Sequence, residues 1–185
     1  LHDALPISYG FGVSPTGGLM PDLTEPKALV TLLHEELRLP MLDFTIGNPY
    51  VNPHVNRPYD GGPYVPDEHP LEGVARMLGC IGQLKKAFPS LCVIGSGFSY
   101  LRQFSPYLAA GAVEQSVCDL AGFGRMAFAY PDFPRDTLYG EGFNARKTCI
   151  ACGKCSALMR AGTVAGCVVR DGETYLPFYQ AHCCV

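Results

Sequence analysis

The stretch Leu91-Cys92-Val93-Ile94-Gly95-Ser96-Gly97 decides the fold. Four apolar residues that end in a glycine-rich turn are typical of a short strand buried in a parallel sheet. The segment before it, 71–87, repeats apolar residues at helical spacing, and the segment after it, 101–110, shows a shorter pattern of the same kind. A strand placed between two helices in this way indicates α/β architecture with parallel strands.

The alternation of helix and strand continues on both sides of this stretch. Upstream, residues 26–37 have the apolar spacing of a helix, and residues 41–47 form a short apolar run that ends in glycine, which predicts a buried strand. Downstream, residues 120–124 predict a third strand and residues 125–130 predict the start of another helix. The functional groups of such a sheet are expected at the carboxyl ends of its strands.

A long connection, residues 48–69, follows the first of these strands. Six prolines from Pro49 to Pro70 argue against a helix there. A connection of this length is usually functional, and its His54 and Arg57 are candidates for contact with a substrate. A rigid proline-rich lid with solvated polar groups is the alternative interpretation.

Four cysteines have the spacing of metal ligands. Cys149, Cys152 and Cys155 form a Cys-x-x-Cys-x-x-Cys run, and Cys167 follows at a greater distance. A tight triplet with one remote thiol favours a [4Fe–4S] cluster, for which four cysteines are the usual ligands. The pattern also permits zinc, although zinc sites more often use two separated pairs, and unligated thiols are the third possibility.

Composition and charge narrow the class of protein. A length of 185 residues with 48% hydrophobic residues is sufficient for one folded domain. A net charge of −3 gives no support for binding to nucleic acid or to an anionic membrane. No apolar run approaches the roughly 20 residues that cross a bilayer. The odd number of cysteines, nine, fits a reducing compartment better than a disulfide scaffold, so we expect a cytoplasmic protein.

Two glycine-rich turns follow consecutive strands. Gly95-Ser96-Gly97-Phe98-Ser99 ends one strand, and Gly122-Phe123-Gly124-Arg125 ends the next. Glycine lets the backbone approach a phosphate closely, and N–H groups at a helix start bind anions. Together the turns predict a phosphate clamp, whereas each turn alone is equally compatible with a tight bend of no further function.

The ordered set of motifs resembles a known family. The two glycine turns, Tyr130-Pro131-Asp132-Phe133-Pro134 and the four cysteines are similar to the C-terminal half of the old yellow enzyme family, in its branch of 2,4-dienoyl-CoA reductase and trimethylamine dehydrogenase. The resemblance implies strands 6–8 of an FMN-binding (β/α)₈ TIM barrel, followed by an iron–sulfur segment. It implies FMN contacts at Gly95, Ser96, Gly97, Phe98, Gly122, Gly124 and Arg125, substrate contacts at Thr45 and Asn48 beside His54 and Arg57, and cluster ligation by Cys149, Cys152, Cys155 and Cys167.

The chain is expected to divide into three parts. The octet 1–8 is expected from its own sequence to be a non-native leader, and the resemblance implies a partial barrel over residues 9–140 and the cluster segment and tail over residues 141–185. The catalytic groups of the family are expected upstream of residue 1. We therefore expect a fragment that is inactive alone, holds FMN weakly and leaves strand edges and apolar faces open.

The implied activity is an NAD(P)H:flavin oxidoreductase or ene-reductase. NAD(P)H, a partner flavoprotein or a fused FAD/NAD domain would supply electrons, and the cluster would relay them to FMN for reduction of an activated C=C bond in a small-molecule substrate. The alternative is a non-catalytic module stabilised by zinc, with the proline-rich connection as its contact surface.

Overall fold

The computed structural model describes residues 11–14, 20–47, 53–56, 58–59, 65, 68–140 and 142–184. Within these residues the chain is mixed α/β, and its sheet has three parallel strands in chain order. The predicted α/β class and the parallel pairing are therefore confirmed.

The strands are β1 (Met41–Phe44), β2 (Cys92–Gly95) and β3 (Leu120–Ala121). The helices are α1 (Thr24–Thr31), α2 (Pro53–Asn56), α3 (Pro70–Ala87), α4 (Ser105–Glu114), α5 (Gly124–Ala129), α6 (Phe133–Tyr139), α7 (Lys154–Arg160) and α8 (Gly172–Cys183). A π-helical turn (Leu32–Glu36) extends α1, and 3₁₀ turns occupy Phe98–Phe104 and Ala145–Lys147. None of the helices in the described ranges is both long and apolar enough to cross a membrane.

The middle strand, β2, is the buried one. It pairs along its whole length with β1, and its last two residues pair with β3. Val93 is fully buried, whereas Met41 in β1 is 46% exposed and Leu120 in β3 is 47% exposed. The prediction that the first strand is buried is wrong, because β1 lies at an edge of this sheet.

The main core lies between the sheet and α3. Its most buried members are Met77, Ile81, Leu91, Val93 and Phe98. An ionic anchor at its border holds β3 in place. The Asp119 carboxylate accepts hydrogen bonds from the Val93 N–H at 2.7 Å and from Lys85 Nζ at 2.8 Å, and the Lys85 bond is the main reason that the pKa of Asp119 is lowered.

The helices α2, α6, α7 and α8 occur where the sequence pattern predicted none. The connection 48–69 contains the short helix α2, so the argument from its prolines was wrong; Pro53 is the first residue of α2, a position that tolerates proline because its N–H would have no intrahelical partner. The segment 141–185, expected to be the cluster segment and tail, contains α8, which begins where the Asp171 side chain accepts a hydrogen bond from Thr174 N–H at 3.3 Å.

The turn after β2 requires glycine at one position. Gly97 has a φ of 105°, which L-residues rarely adopt, and a Cβ atom there would lie 2.9 Å from Met77 Sδ. Packing against α3 therefore explains this glycine without any ligand.

We predict that Gly97→Ala destabilises the chain by about 1–3 kcal/mol, because it strains the turn and crowds Met77. The matched variant is Gly79→Ala in α3, where the added methyl group meets open space; it should stabilise by about 0.4–1 kcal/mol. Urea unfolding followed by circular dichroism measures both, and equal free energies of unfolding for the two variants would contradict this interpretation.

Candidate functional site

All four cysteines of the motif line one recess at the surface. About 360 Å³ between its walls is not filled by protein atoms, and part of this space is open to solvent. The described residues around this cysteine recess are Arg125, Phe128, Cys149, Ile150, Cys152, Gly153, Lys154, Cys155, Cys167, Val168, Val169 and Arg170. The structure thus brings together the four thiols that the spacing predicted as ligands.

The first wall of the recess is the tight turn from Cys149 to Cys155. Two residues of this turn have left-handed backbones, Ala151 with φ 56° and Gly153 with φ 73°. The Ala151 N–H lies 3.3 Å from Cys149 Sγ and donates to it. Gly153 caps the N-terminus of α7, so Cys155 falls in the first turn of that helix. An N–H donor and a helix N-terminus both stabilise negative charge on sulfur.

The opposite wall contains Cys167, and Arg170 joins it to the first wall. Arg170 Nε and Nη2 both donate to the Thr148 carbonyl oxygen, at 3.0 and 2.9 Å. A short turn, in which Asp171 N–H donates to the Cys167 carbonyl at 2.9 Å, places Arg170 for this contact. The ring of Tyr175 packs against Gly166 on the outer side. Eleven residues separate Cys155 from Cys167, and the hydrogen bonds of Arg170 hold the two ends of this segment close together.

The electrostatic environment of the recess is positive. Arg125, Lys154 and Arg170 line it, and no carboxylate or histidine is among its described lining residues. Burial raises the pKa of the Cys149 and Cys155 thiols, and the positive charge of Arg125 opposes that rise at both sulfurs. Burial and the charge of Arg125 therefore act in opposite directions on these two thiols.

The thiols surround the recess without converging on one point. No group of three or more His, Cys, Asp or Glu side chains within the described ranges is arranged to hold a metal ion. The donor chemistry nevertheless suits a soft metal, because four cysteines and no oxygen donor side chain face the recess in the part of the chain that is described.

The glycine turns lie next to each other at the carboxyl edge of the sheet. Ser99 Oγ, in the turn after β2, accepts from the Met126 N–H at 3.2 Å, in the first turn of α5. Ser96 Oγ donates to the Asp43 carboxylate of β1 at 2.9 Å. Side-chain hydrogen bonds therefore link the ends of all three strands.

The candidate FMN residues differ in how far packing explains them. A Cβ atom on Gly95 would lie 2.9 Å from Cys118 Sγ, and one on Gly122 would lie 3.1 Å from Ile94 Cγ2. A Cβ atom on Gly124 would meet nothing within 4 Å, so packing does not require glycine there. The Phe98 side chain is fully buried in the core, which leaves only its backbone for a ligand.

Arg125 connects the glycine turns to the cysteine recess. It is the second residue of α5, directly after β3, and its side chain lines the recess. Its Nη1 also donates to the Pro58 carbonyl oxygen at 2.6 Å. One side chain thus touches the proline-rich connection and the surroundings of the thiols.

The structure describes two of the four residues that are predicted to contact a substrate. Asn48 and Arg57 lie outside the described residues. Thr45 Oγ1 accepts from Asn56 Nδ2 at 3.0 Å, which holds α2 over the end of β1. His54 is 2% exposed, and its Nε2 lies 3.3 Å from Glu68 Oε1.

A buried cluster of polar side chains around His54 was not predicted from the sequence. The carboxylate of Glu68 forms an ion pair with Arg76 and also lies beside the His54 ring. Arg170 and Lys154 were missed as well, although each is close in sequence to a motif cysteine and carries the charge expected near an anionic cluster. Arg146 and Lys147 also neighbour the motif, but neither is among the described lining residues; Lys147 Nζ instead lies 4.9 Å from the Tyr130 ring centroid.

Comparison with known proteins gives no relative. A scan against protein-family models, a search of curated proteins and a search of solved structures each found no match.

We predict that Arg170→Met destabilises the metal-free chain by about 1–3 kcal/mol, because the carbonyl of Thr148, a residue only 3% exposed, loses both donors. Arg160→Met removes the same charge from an exposed site on α7 and should change the free energy of unfolding by no more than about 0.5 kcal/mol. Urea unfolding by circular dichroism measures both, since the chain has no tryptophan. Equal stabilities would show that the clamp does not hold the two walls together.

Proposed function

We propose that this chain is the C-terminal part of an FMN-dependent oxidoreductase of the old yellow enzyme family, in the branch that carries a [4Fe–4S] cluster. The observation that carries the proposal is the cysteine recess, where four thiols surround one space beside the arginine that follows β3. The three parallel strands would be strands 6–8 of a (β/α)₈ barrel, and the half-exposed residues of β1 and β3 would meet the rest of that barrel.

Cys149, Cys152, Cys155 and Cys167 would ligate the cluster. The donor set supports this proposal, because four cysteines and no oxygen donor side chain line the recess among the described residues. The Ala151 N–H would keep its bond to the Cys149 sulfur, and the surrounding cations would balance the negative charge of four thiolates. Both walls of the recess belong to this chain, and the hydrogen bonds from Arg170 to the Thr148 carbonyl would set the distance between them.

The FMN phosphate would bind at the carboxyl ends of β2 and β3. Gly124 is exposed and has open space where a side chain would stand, which leaves room for a phosphate beside the first turn of α5. Gly95, Gly97 and Gly122 would shape this edge through packing. Arg125 would add positive charge.

When bound, FMN supplies hydride transfer to an activated C=C bond or a related group, with NAD(P)H or a flavoprotein partner as the source of electrons. The described residues of this chain bind, orient and charge-balance the two groups. Thr45 is a proposed substrate contact at the strand edge, whereas the burial of His54 leaves almost none of its side chain for a substrate. A reducing, cytoplasmic compartment suits the thiols.

The cluster ligands are tested by anaerobic reconstitution of the chain with iron and sulfide. We expect about four iron and four sulfide per wild-type chain and a severe loss of both in Cys167→Ala. Cys92→Ala, which changes a thiol outside the recess, should retain full loading. Stoichiometric zinc with no iron in the protein as isolated would instead support the zinc-stabilised binding module.

The phosphate site is tested by comparing FMN with riboflavin, which lacks the phosphate. We expect the wild-type chain to bind FMN more tightly, and Gly124→Leu to remove that preference by filling the open space, a loss of about 1.5–3 kcal/mol for charge-assisted hydrogen bonds. Gly111→Leu, which also points into open space but lies on α4, should keep the preference. The shift of the FMN ³¹P resonance during titration with the chain reports even weak binding. Equal affinities of the wild-type chain for FMN and riboflavin would contradict a phosphate site.

A further inference from the structure

Arg125 belongs to a different part of the fold from Lys154 and Arg170, the other two cations of the cysteine recess. Lys154 and Arg170 belong to the two cysteine walls themselves, and each contacts a neighbouring group there. Lys154 Nζ lies 5.2 Å from the Tyr179 ring centroid, and Arg170 clamps Thr148. Arg125 instead enters from α5, so the sheet places a positive charge against the thiols.

The Arg125 side chain is also fixed by a hydrogen bond to the proline-rich connection. Arg125 Nη1 donates to the Pro58 carbonyl at 2.6 Å, and Pro58 is itself fully buried. The helix that carries Arg125 is held through Met126, whose N–H donates to Ser99 Oγ. The guanidinium is therefore a fixed charge in a half-buried place, where solvent and salt screen it less than at an open surface.

A fixed cation beside a redox centre has a defined effect. Each one-electron reduction of a cluster adds one negative charge, so a nearby positive charge stabilises the reduced form and raises the reduction potential. We propose that Arg125 is the positioning residue that raises the reduction potential of the group held by Cys149, Cys152, Cys155 and Cys167. This inference rests on the proposed function, and it assigns Arg125 a role toward the cluster in addition to any contact with the FMN phosphate.

The test uses the full chain reconstituted anaerobically with iron and sulfide and with no flavin added, so that FMN contacts cannot enter the result. Dithionite supplies the electrons, and electron paramagnetic resonance reports the fraction of reduced cluster during a potentiometric titration. We expect Arg125→Gln to lower the ratio of reduced to oxidised cluster at a given potential about tenfold, which corresponds to about 59 mV for one electron. Arg125→Lys, which keeps the charge, should remain close to the wild type.

Arg146→Gln is the matched control for loss of charge. Arg146 is exposed, lies three residues before Cys149 and is not among the described residues of the recess, so its loss should leave the potential unchanged. A further variant, Arg125→His, places a titratable charge at the same position. Its potential should fall between about pH 5.5 and pH 8 as the imidazole loses its proton, more steeply than that of the wild type.

The outcomes separate the two proposals. A wild-type chain that takes up no iron overturns the proposed function, and this inference with it. Intact clusters with the same potential in the wild type and Arg125→Gln overturn the inference alone. If Arg125→Gln fails to assemble a cluster, Arg125→His decides: a pH dependence equal to that of the wild type would overturn the inference, and a steeper one would support it.

Discussion

The candidate site depends on one interaction, the donation of two guanidinium N–H groups from Arg170 to the Thr148 carbonyl. This pair of bonds, at 3.0 and 2.9 Å, spans the two segments that carry the thiols. Apolar packing adds to it, because Cys167 also lies against the buried cluster that contains Cys149. The carbonyl belongs to a residue that is 3% exposed, so water cannot readily replace the lost donors. Satisfying this buried acceptor therefore helps to hold the two sides of the recess together.

A second set of contacts connects this recess to the parallel sheet. Ser99 Oγ accepts from the Met126 N–H in the first turn of α5, and Arg125, the residue before Met126, reaches both the proline-rich connection and the cysteine recess. Because parallel strands end at one edge, short side chains suffice to join the turns that follow them. The proposed flavin and cluster sites would therefore share one helix, α5. A structural change at one site would then alter the position of residues at the other.

The sequence predicted those features that repeat or that follow a fixed spacing. Helical apolar spacing located α3, the apolar run before Gly95 located β2, and the four cysteines pointed to one site. It did not predict that β1 is an exposed edge strand, because the position of a strand within its sheet depends on tertiary pairing and leaves no local pattern in the sequence. It also failed at α2, where the rule against proline in helices was applied to a proline that begins one. Arg170 and the His54–Glu68 pair could not be found by periodicity, since each depends on a tertiary contact.

The central claim is that the four cysteines hold one polynuclear iron–sulfur cluster. X-ray absorption spectroscopy of the chain, purified without air and without added metal, tests it most directly. We predict an iron edge, sulfur as the neighbouring atom and a second shell of iron scattering, all lost in a variant that lacks Cys167. A zinc edge with four sulfur atoms at about 2.3 Å and no iron would contradict the account.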